Sequence, residues 1–228
     1  MALGLTYGAA GPADMYATKA DAYFAGARAD FVARLPHNPA AAILEIGCGS
    51  GDTGRLALAA GKAGRYVGIE LFPAAAAKAR GVLSEVRVGD VERMELPFTP
   101  RTFDALILSE VLEHLVEPGA ALARIAPLLK PGAIALASSP NVSHWRVVRE
   151  LLAGRFDLAD RGVFDRTHMR WFTPRSFAAM FAASGFDVAA VGPVTPFAPR
   201  TRLLSRLSRG RLDHLFTAQI CLEARRLG

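Results

Sequence analysis

Residues 43–54 read ILEIGCGSGDTG, an apolar run that leads directly into a loop rich in glycine. This order predicts a buried strand, a tight turn whose backbone N–H groups can approach a ligand, and then a helix. Two motifs overlap in the loop. Read from Gly49 it spells Gly-x-Gly-x-x-Gly, the dinucleotide-binding fingerprint, whereas read from Glu45 it spells acid-x-Gly-x-Gly-x-Gly, which suits a different cofactor.

On both sides of this loop, apolar strand-like runs alternate with helical patterns. Strands are predicted at 42–47, 65–71, 85–90, 103–110 and 133–139, and helices at 52–62, 73–80 and 118–130. After a helix that should start at Thr173 and Pro174 and end at Gly185, two closing strands are expected at 186–194 and 215–224. Such alternation predicts an α/β fold with a doubly wound, mostly parallel sheet.

The 228 residues are predicted to form a single domain with four parts. These parts are a helical cap at 1–39 with a helix at 14–35, a core at 40–139, an insertion at 140–172, and a closing helix and strands at 173–228. With 51% hydrophobic and 21% charged residues, the composition is that of a globular protein. The sequence does not indicate an oligomeric state.

Composition also limits the cellular setting. No apolar run reaches the roughly 18 residues that a membrane span needs, and the N-terminal residues lack the pattern of a signal peptide. Cys48 and Cys221 form neither a disulfide framework nor a zinc motif, so a reducing cytoplasm is expected. The net charge of +6 comes mostly from arginines, which reflect a compositional bias alone or fit an anionic substrate, nucleic acid or membrane surface.

Acidic residues after the first strand distinguish the two motifs. Glu70 ends the second strand, where a carboxylate can bind both ribose hydroxyls of NAD or of S-adenosylmethionine. Glu45, in contrast, would repel a pyrophosphate and suits the amino group of a methionine moiety. Asp90 ends the third strand, where it can accept from an adenine amine, and residues 109–115 (SEVLEHL) place polar groups at the carboxyl edge of the sheet.

In this order and spacing, these residues resemble the class I S-adenosylmethionine-dependent methyltransferases, strongly over residues 40–140. The resemblance implies a seven-stranded sheet of order 3-2-1-4-5-7-6 with the seventh strand antiparallel. It also implies the cofactor contacts: Glu45, Gly47, Cys48, Gly49 and Gly51 at the methionine moiety, Glu70 and Leu71 at the ribose, Asp90 and Val91 at the adenine, and Ser109 near the sulfonium. The alternative is a Rossmann-type NAD enzyme, which leaves Glu45, Asp90 and residues 109–115 unexplained.

Candidate chemistry follows the fourth strand. Glu110, Glu113 and His114 have the spacing of one face of a helical turn, and His168 follows later in the chain. This pattern resembles two metal-using branches of the family, the ubiquinone-pathway O-methyltransferases and the small-RNA 2′-O-methyltransferases, and implies a Mg or Mn site. Two alternatives stay open: His114 or His168 acts directly as general base, or these residues only shape the pocket.

Other residues have a functional and a structural interpretation. His144 is a further candidate base or a packing residue beside Trp145. On the predicted N-terminal helix, Tyr16, Tyr23 and Arg28 would cover the cofactor, with Arg28 at the methionine carboxylate; the alternative is a solvated arginine and tyrosines at the edge of the core.

The acceptor side is less specific. Residues 154–186 resemble methyltransferases encoded with bacterial surface-glycan pathways, which implies O-methylation of a sugar or another small hydroxylated metabolite. Arginines in this segment would contact a phosphate on the acceptor or remain solvated: Arg161, Arg166, Arg170 and Arg175. An RNA methyltransferase and a non-catalytic S-adenosylmethionine-binding protein are the alternatives, but no added RNA-binding module is recognised, so nucleic acid is disfavoured as a partner.

One further segment points to a partner of a different kind. Residues 200–211 (RTRLLSRLSRGR) have the pattern of a basic amphipathic helix. Either its leucines pack on the rest of the chain, or the helix makes a peripheral contact with an anionic membrane.

Overall fold

The expected alternation of strands and helices is present in the computed structural model, which describes residues 26–228. The strands are β1 (Ala42–Ile46), β2 (Arg65–Glu70), β3 (Glu85–Val88), β4 (Phe103–Ser109), β5 (Leu129–Pro140), β6 (Phe186–Pro193) and β7 (Gln219–Arg226). The helices are α1 (Ala29–Arg34), α2 (Asp52–Ala59), α3 (Pro73–Ala79), α4 (Pro118–Ile125), α5 (Trp145–Leu152), α6 (Pro174–Ala183), α7 (Pro199–Leu207) and α8 (Asp213–Phe216). No helix among the described residues is long and apolar enough to cross a membrane.

The strands form one sheet of order β3-β2-β1-β4-β5-β7-β6. All neighbours pair in parallel except β7, which is antiparallel to both β5 and β6. The predicted order and the predicted antiparallel seventh strand are therefore confirmed. The chain runs from β1 outward through β2 to β3 and then crosses back to β4 on the other side of β1. The carboxyl ends of β1 and β4 therefore open a crevice, which is where ligands bind in such sheets.

Both faces of the sheet are buried, because helices cover each of them. Ile43 packs in the cluster that contains Phe31 and Tyr66, whereas its neighbour Leu44 packs on the other face in the cluster that contains Phe177. On that second face, four aromatic rings contact one another edge-to-face, with centroids 5.1–5.6 Å apart: Phe172, Phe177, Phe181 and Phe186. This chain of rings joins α6 and β6 to the central strands.

The predicted boundaries of α6 are confirmed in detail. The Thr173 hydroxyl accepts from the Ser176 N–H, and the Ser176 hydroxyl accepts from the Thr173 N–H, which is a complete capping box. Pro174 fills the first turn, where its missing N–H costs nothing. Gly185 follows the helix with φ +85°, a conformation that favours glycine.

Three boundaries differ from the prediction. The helix expected over 118–130 ends at Ile125, because a single 3₁₀ turn that contains Pro127 follows over Ala126–Leu128 and β5 already starts at Leu129. The last strand was expected from 215, but that stretch is α8, which is held by the Asn141 side chain as it donates to the carbonyls of His214 and Thr217 at 2.7 and 2.6 Å. In addition, the predicted insertion contains α5, a helix that the sequence did not indicate.

The N-terminal cap is only partly described. α1 corresponds to the last residues of the helix predicted at 14–35, and it packs on α2. Tyr16 and Tyr23 lie outside the described residues.

Candidate active site

A cavity of about 730 Å³ lies at the carboxyl edge of the sheet, within the usual size for a cofactor or substrate site. It brings together almost all of the residues predicted for the cofactor: Glu45, Gly47, Cys48, Gly49, Glu70, Leu71, Asp90, Val91 and Ser109. Glu110, Glu113, His114 and His168 line the same cavity. Gly51 does not line it. A Cβ atom there would meet Val82 at 2.8 Å and Leu83 at 3.1 Å, so this glycine is needed for packing.

The glycine loop makes a close turn at the end of β1. Gly47 has φ +70° and donates its N–H to the Ile69 carbonyl at 2.8 Å, and a Cβ atom on it would lie 2.5 Å from Val111. Cys48 is buried beside Gly68, and burial raises the pKa of its thiol, which favours the neutral form. The loop therefore leaves backbone rather than side chains facing the cavity.

Glu70, at the end of β2, organises this loop. One carboxylate oxygen accepts the Gly49 N–H at 2.8 Å, and the other accepts the Phe72 N–H at 3.0 Å. The side chain is buried, and burial raises its pKa. Because each carboxylate oxygen has a second lone pair, Glu70 retains acceptor capacity toward the cavity, as two ribose hydroxyls require.

Glu45 is buried in the floor of the cavity. The Tyr66 hydroxyl donates to its carboxylate at 2.9 Å, and only 2% of the residue is exposed. Burial is the main cause that raises the pKa of Glu45 to about 8, and the charge of Glu70 adds to it. A cationic group entering the cavity would favour the charged carboxylate, so the predicted contact with a methionine amine is chemically sound.

Asp90 lies in the turn that follows β3. Its Oδ1 accepts the Glu92 N–H at 2.9 Å, and its Oδ2 lies 3.6 Å from Nε of Arg93. The carboxylate is partly exposed and Val91 beside it is buried, which places one polar and one apolar group at this end of the cavity. That combination suits a nucleobase, as the sequence predicted.

Arg28 extends from the start of α1 across the carboxyl ends of β4 and β5. Its guanidinium donates to the hydroxyls of Ser109 and Ser138 at 2.7 and 2.6 Å and is held by Asp30 at 2.8 Å. The alternative of a solvated arginine is wrong, because the side chain is 17% exposed and lines the cavity. A fixed cation here can bind a carboxylate, and its contact with a methionine carboxylate stays a prediction.

The part of the cavity that the sequence predicts for the acceptor contains two histidines. The rings of His114 and His168 meet edge-to-face with centroids 4.8 Å apart. Nδ1 of His114 lies 3.1 Å from the Thr167 carbonyl, and Nδ1 of His168 lies 3.1 Å from the Val163 carbonyl. Because a carbonyl only accepts, these two contacts favour the tautomer with the proton on Nδ1, which leaves Nε2 as the basic nitrogen of each neutral ring.

Glu113 completes this group. Its carboxylate and one nitrogen of each histidine lie within 4.8 Å of one another, which is close enough for a shared cation. Glu113 is 1% exposed, and neither of its oxygens makes a hydrogen bond within the described part of the chain. Burial and the charge of Glu110 raise its pKa well above the usual range.

Glu110 does not share a helical face with Glu113 and His114, and this expectation was wrong. The chain turns at Glu110 with φ +53°, and only residues 112–114 form a 3₁₀ turn. Glu110 therefore borders the cavity but does not belong to the cluster of potential metal ligands among the described residues.

Among the other candidates, His144 precedes α5, and its ring lies 5.9 Å from that of Trp145. It is not among the cavity-lining residues, so the packing interpretation is favoured. Asp165 was not singled out by the sequence reasoning, although it is buried in the cavity wall. Its Oδ1 accepts both the N–H and the hydroxyl of Thr167, the residue whose carbonyl orients His114. The signal was present, because an aspartate two residues before a threonine is typical of such turns.

Comparisons with known proteins agree with the predicted family and with the fold. The family model described as "Methyltransferase domain" matches residues 16–191. The ubiquinone biosynthesis O-methyltransferase of Xanthomonas campestris pv. campestris (strain B100) is 36% identical over 121 residues, 50% of this chain and 49% of that protein. The enzyme of the same name from Xylella fastidiosa (strain M23) is 26% identical over 188 residues, 78% of this chain and 75% of that protein.

An uncharacterized 37.1 kDa protein in transposon TN4556 of Streptomyces fradiae is 29% identical over 168 residues, 71% of this chain. The chain spans about half the length of this protein and of the Xanthomonas relative, 48% and 49% respectively.

Solved structures share the fold at low sequence identity. An S-adenosylmethionine-dependent methyltransferase from Archaeoglobus fulgidus superposes with a TM-score of 0.63 at 17% identity, covering 90% of this chain and 97% of that one. The [4+2]-cyclase SpnF superposes with a TM-score of 0.60 at 20% identity, covering 91% of this chain and 81% of that one. Since the fold alone does not identify the reaction, the family match carries the conclusion. The chain belongs to the class I S-adenosylmethionine-dependent methyltransferases, and S-adenosylmethionine is its cofactor.

Proposed function

We propose that the chain transfers the methyl group of S-adenosylmethionine to a hydroxyl oxygen of a small metabolite, a sugar or another hydroxylated compound. The observation that carries this proposal is the pair of oriented imidazoles, His114 and His168, in the same cavity as Glu45 and Glu70. An oxygen acceptor is also supported by the relatives named ubiquinone biosynthesis O-methyltransferases.

The cofactor and the acceptor would bind at two different ends of the cavity. The glycine loop and Glu45 would bind the methionine moiety, Arg28 its carboxylate, Glu70 the ribose, and Asp90 and Val91 the adenine. This arrangement would direct the sulfonium toward Ser109, which lines the same cavity at the end of β4. Cofactor and acceptor would then meet at the end of β4.

Methyl transfer from a sulfonium is an in-line displacement, so the protein must mainly position the acceptor and remove its proton. Nε2 of His114 or of His168 would take the hydroxyl proton as the oxygen attacks the methyl carbon. The Thr167 and Val163 carbonyls hold the two rings in the tautomer that this step needs. Closure of the cavity around the acceptor would also keep water from competing for the methyl group.

A divalent metal fits the same group of residues and is the alternative to direct proton transfer, because a histidine nitrogen that binds a metal cannot accept a proton. Glu113, His114 and His168 offer one carboxylate and two imidazoles within 4.8 Å, and the carboxylate is buried without a hydrogen bond from residues 26–228. Of the two ions that the sequence indicated, this donor set favours Mn over Mg, which prefers oxygen ligands. When bound, the metal would lower the pKa of the acceptor hydroxyl.

Arg161 lines the cavity next to Gly162, on the acceptor side. Because guanidinium groups bind phosphate with two parallel hydrogen bonds, Arg161 could recognise a phosphorylated acceptor. Arg166 pairs with Asp160 at 2.9 Å and Arg170 with Glu117 at 3.2 Å, so both have acidic partners within the chain. Arg161 is therefore the arginine that we propose for an acceptor phosphate.

Calorimetry with S-adenosylmethionine, S-adenosylhomocysteine and NAD tests the cofactor part of the proposal, and we expect the first two to bind and NAD not to bind. Transfer of labelled methyl groups to panels of sugars, sugar phosphates, catechols and RNA tests the acceptor part, with and without Mn or a chelator. We expect transfer to small hydroxylated compounds that His168→Gln abolishes and His37→Gln leaves unchanged, because His37 does not line the cavity. Methylation of RNA alone, or of nitrogen rather than oxygen, would contradict the proposal.

A further inference from the structure

Helix α7 turns its polar face toward the rest of the chain and exposes its apolar face. Its small polar residues are the half-buried ones and face the rest of the chain: Thr201, Ser205 and Ser208. Leu203 and Leu207 are 58% and 73% exposed, and Leu204 is also exposed. Within the described residues, no side chain of α7 is buried. Of the two alternatives for these leucines, packing on the rest of the chain is therefore wrong.

A surface helix of a globular protein normally buries its apolar stripe and exposes its polar residues. Single exposed leucines are common, but three neighbours on one helical face form a stripe that water solvates poorly. At 100° per residue, Leu203, Leu204 and Leu207 lie within one arc of about 100°. This arrangement indicates that the leucine face of α7 has a partner outside the described chain.

Charge identifies the chemistry of that partner. Residues 199–212 contain five arginines and no aspartate or glutamate: Arg200, Arg202, Arg206, Arg209 and Arg211. All five are exposed. At 100° per residue, Arg200 falls within the leucine arc, and Arg206 borders it. A surface that presents leucines and arginines together is complementary to one that offers apolar and anionic groups together.

The position of α7 relates this surface to the active site. β5 and β6 are both antiparallel to β7, so they run in the same direction and end at the same edge of the sheet. The cavity opens at this edge, and α7 follows the end of β6. α5 follows the end of β5 and adds further exposed apolar side chains, among them Leu152 at 85% exposure and Trp145 beside two arginines.

We propose that the leucine face of α7 docks on an anionic lipid surface, with the active-site edge of the sheet turned toward the membrane. A helix that lies in the interface needs an apolar face and flanking basic residues, and α7 has both. An acidic protein partner is less well matched, because protein interfaces are centred on pockets that hold anchoring side chains, whereas the leucines and arginines of α7 are all exposed.

Sedimentation with lipid vesicles tests the proposal on the 228-residue chain. We expect the chain to bind vesicles of phosphatidylglycerol and phosphatidylcholine at low salt, and to bind vesicles of phosphatidylcholine alone at least about fivefold less. The double variant Leu203→Ser, Leu207→Ser should lose binding by at least about fivefold, because fewer apolar side chains enter the interface. Arg200→Gln with Arg206→Gln should lower binding and its salt dependence.

Two matched controls separate this face from general charge and apolarity. Lys78→Gln with Arg80→Gln removes the same charge from the region of α3, and Leu227→Ser removes a leucine of 50% exposure beyond the far end of β7. Both should bind vesicles like the parent chain. Equal binding by the α7 leucine variant, or equal binding to both vesicle types, would overturn the proposal.

Self-association is the other outcome that would overturn it. If the parent chain is a dimer in size-exclusion chromatography and Leu203→Ser, Leu207→Ser is a monomer, the leucine face is an interface between two copies. Circular dichroism should show unchanged folding in the variants, since no side chain of α7 is buried among the described residues.

Discussion

The cofactor side and the acceptor side of the cavity are constructed in different ways. On the cofactor side, short turns join strands to helices, and acidic side chains hold the backbone: Glu70 accepts from Gly49 and Phe72, and Asp90 from Glu92. On the acceptor side, residues 153–173 form a long segment without a helix or a paired strand beyond isolated bridges. There the backbone holds the side chains, since carbonyls of this segment orient both histidines.

This difference predicts that substitutions on one side of the cavity leave the function of the other side almost unchanged. Changes on the cofactor side should alter loop geometry and affinity for S-adenosylmethionine. Changes on the acceptor side should alter turnover and leave cofactor binding almost unchanged. The predictions below test this separation.

His168→Ala should have the largest effect. If His168 removes the acceptor proton or orients the acceptor, turnover should fall about 100-fold or more, because general-base catalysis contributes that much. Affinity for S-adenosylmethionine should stay within about twofold, since the ring contacts the acceptor side. Labelled methyl transfer to an acceptor found in the panel measures the first quantity, and calorimetry measures the second.

His144→Ala is the matched control for His168→Ala. His144 follows β5 at the same edge of the sheet, but it is not among the cavity-lining residues. Its removal should leave turnover within about twofold, since it contributes no proton transfer. A loss of cofactor affinity in His168→Ala as large as its loss of turnover would show that the two sides are not separable.

Two glycine substitutions compare the rigidity of the two loops. Gly47 and Gly162 both have positive φ, 70° and 83°, but a Cβ atom at Gly47 would lie 2.5 Å from Val111, whereas nothing lies within 4 Å of one at Gly162. Gly47→Ala should lower the free energy of unfolding by roughly 2–4 kcal/mol, from backbone strain and overpacking together. Gly162→Ala should cost about 1 kcal/mol from strain alone.

Urea unfolding of both variants measures this difference. The expected difference between the cofactor-side loop and the acceptor-side loop is supported if Gly47→Ala also weakens binding of S-adenosylmethionine while Gly162→Ala does not. Equal losses of stability in the two variants would mean that the tight contact between the glycine loop and Val111 is relieved by a small shift of the chain.

The same contrast explains what the sequence could predict. β1 to β4 and their turns follow local rules, such as apolar runs that end in glycine or acid, so their positions along the chain were predicted. The strand order and the cofactor contacts from Glu45 to Ser109 were implied by the resemblance to the methyltransferase family. The start of β7 depends on Asn141, which bonds to carbonyls more than 70 positions away in the chain. No local pattern encodes such a contact.

The orientation of the α7 leucines was left open, and the turn at Glu110 was missed, for a related reason. An amphipathic pattern shows that a helix has two faces, but it does not show which face meets the chain. At Glu110 the E-x-x-E-H spacing suggested a helix. The residue instead has a positive φ at the end of β4, where its N–H still donates to the Ser138 carbonyl of β5. Spacing alone therefore identified the histidines but not the shape of the turn.

Glu70→Ala should have the next largest effect, on the cofactor side. It removes the acceptor of two backbone N–H groups and the proposed ribose contact, so affinity for S-adenosylmethionine should fall by at least about tenfold. Glu70→Gln should be nearly as harmful, because its amide NH₂ would face a backbone donor. Calorimetry checks both variants against Glu85→Ala, which lies on the next strand and pairs with Arg65 and Arg87 outside the cavity.

The smallest expected effect is a dependence of cofactor affinity on pH that originates at Glu45. Burial raises the pKa of this carboxyl to about 8 from 4.5, so its contribution to stability is fully present below about pH 4.5 and is lost as pH rises through 8. Binding a cationic amine beside it favours the carboxylate and releases a proton. Affinity should therefore rise from about pH 6.5 to about pH 7.5, by at most about tenfold, while the cofactor amine is still protonated.

Calorimetry at these two pH values, in buffers of different ionisation enthalpy, measures both the affinity and the proton release. Glu45→Gln should show neither dependence, because its amide cannot ionise but can still accept from the Tyr66 hydroxyl. Tyr66→Phe provides the sharper check. The hydroxyl that it removes lowers the pKa of Glu45, so this variant should move the rise in affinity to higher pH rather than abolish it. Proton release that persists in Glu45→Gln would place the titrating group on the acceptor side instead. Cofactor binding would then depend on the acceptor side, and the two sides would not be independent.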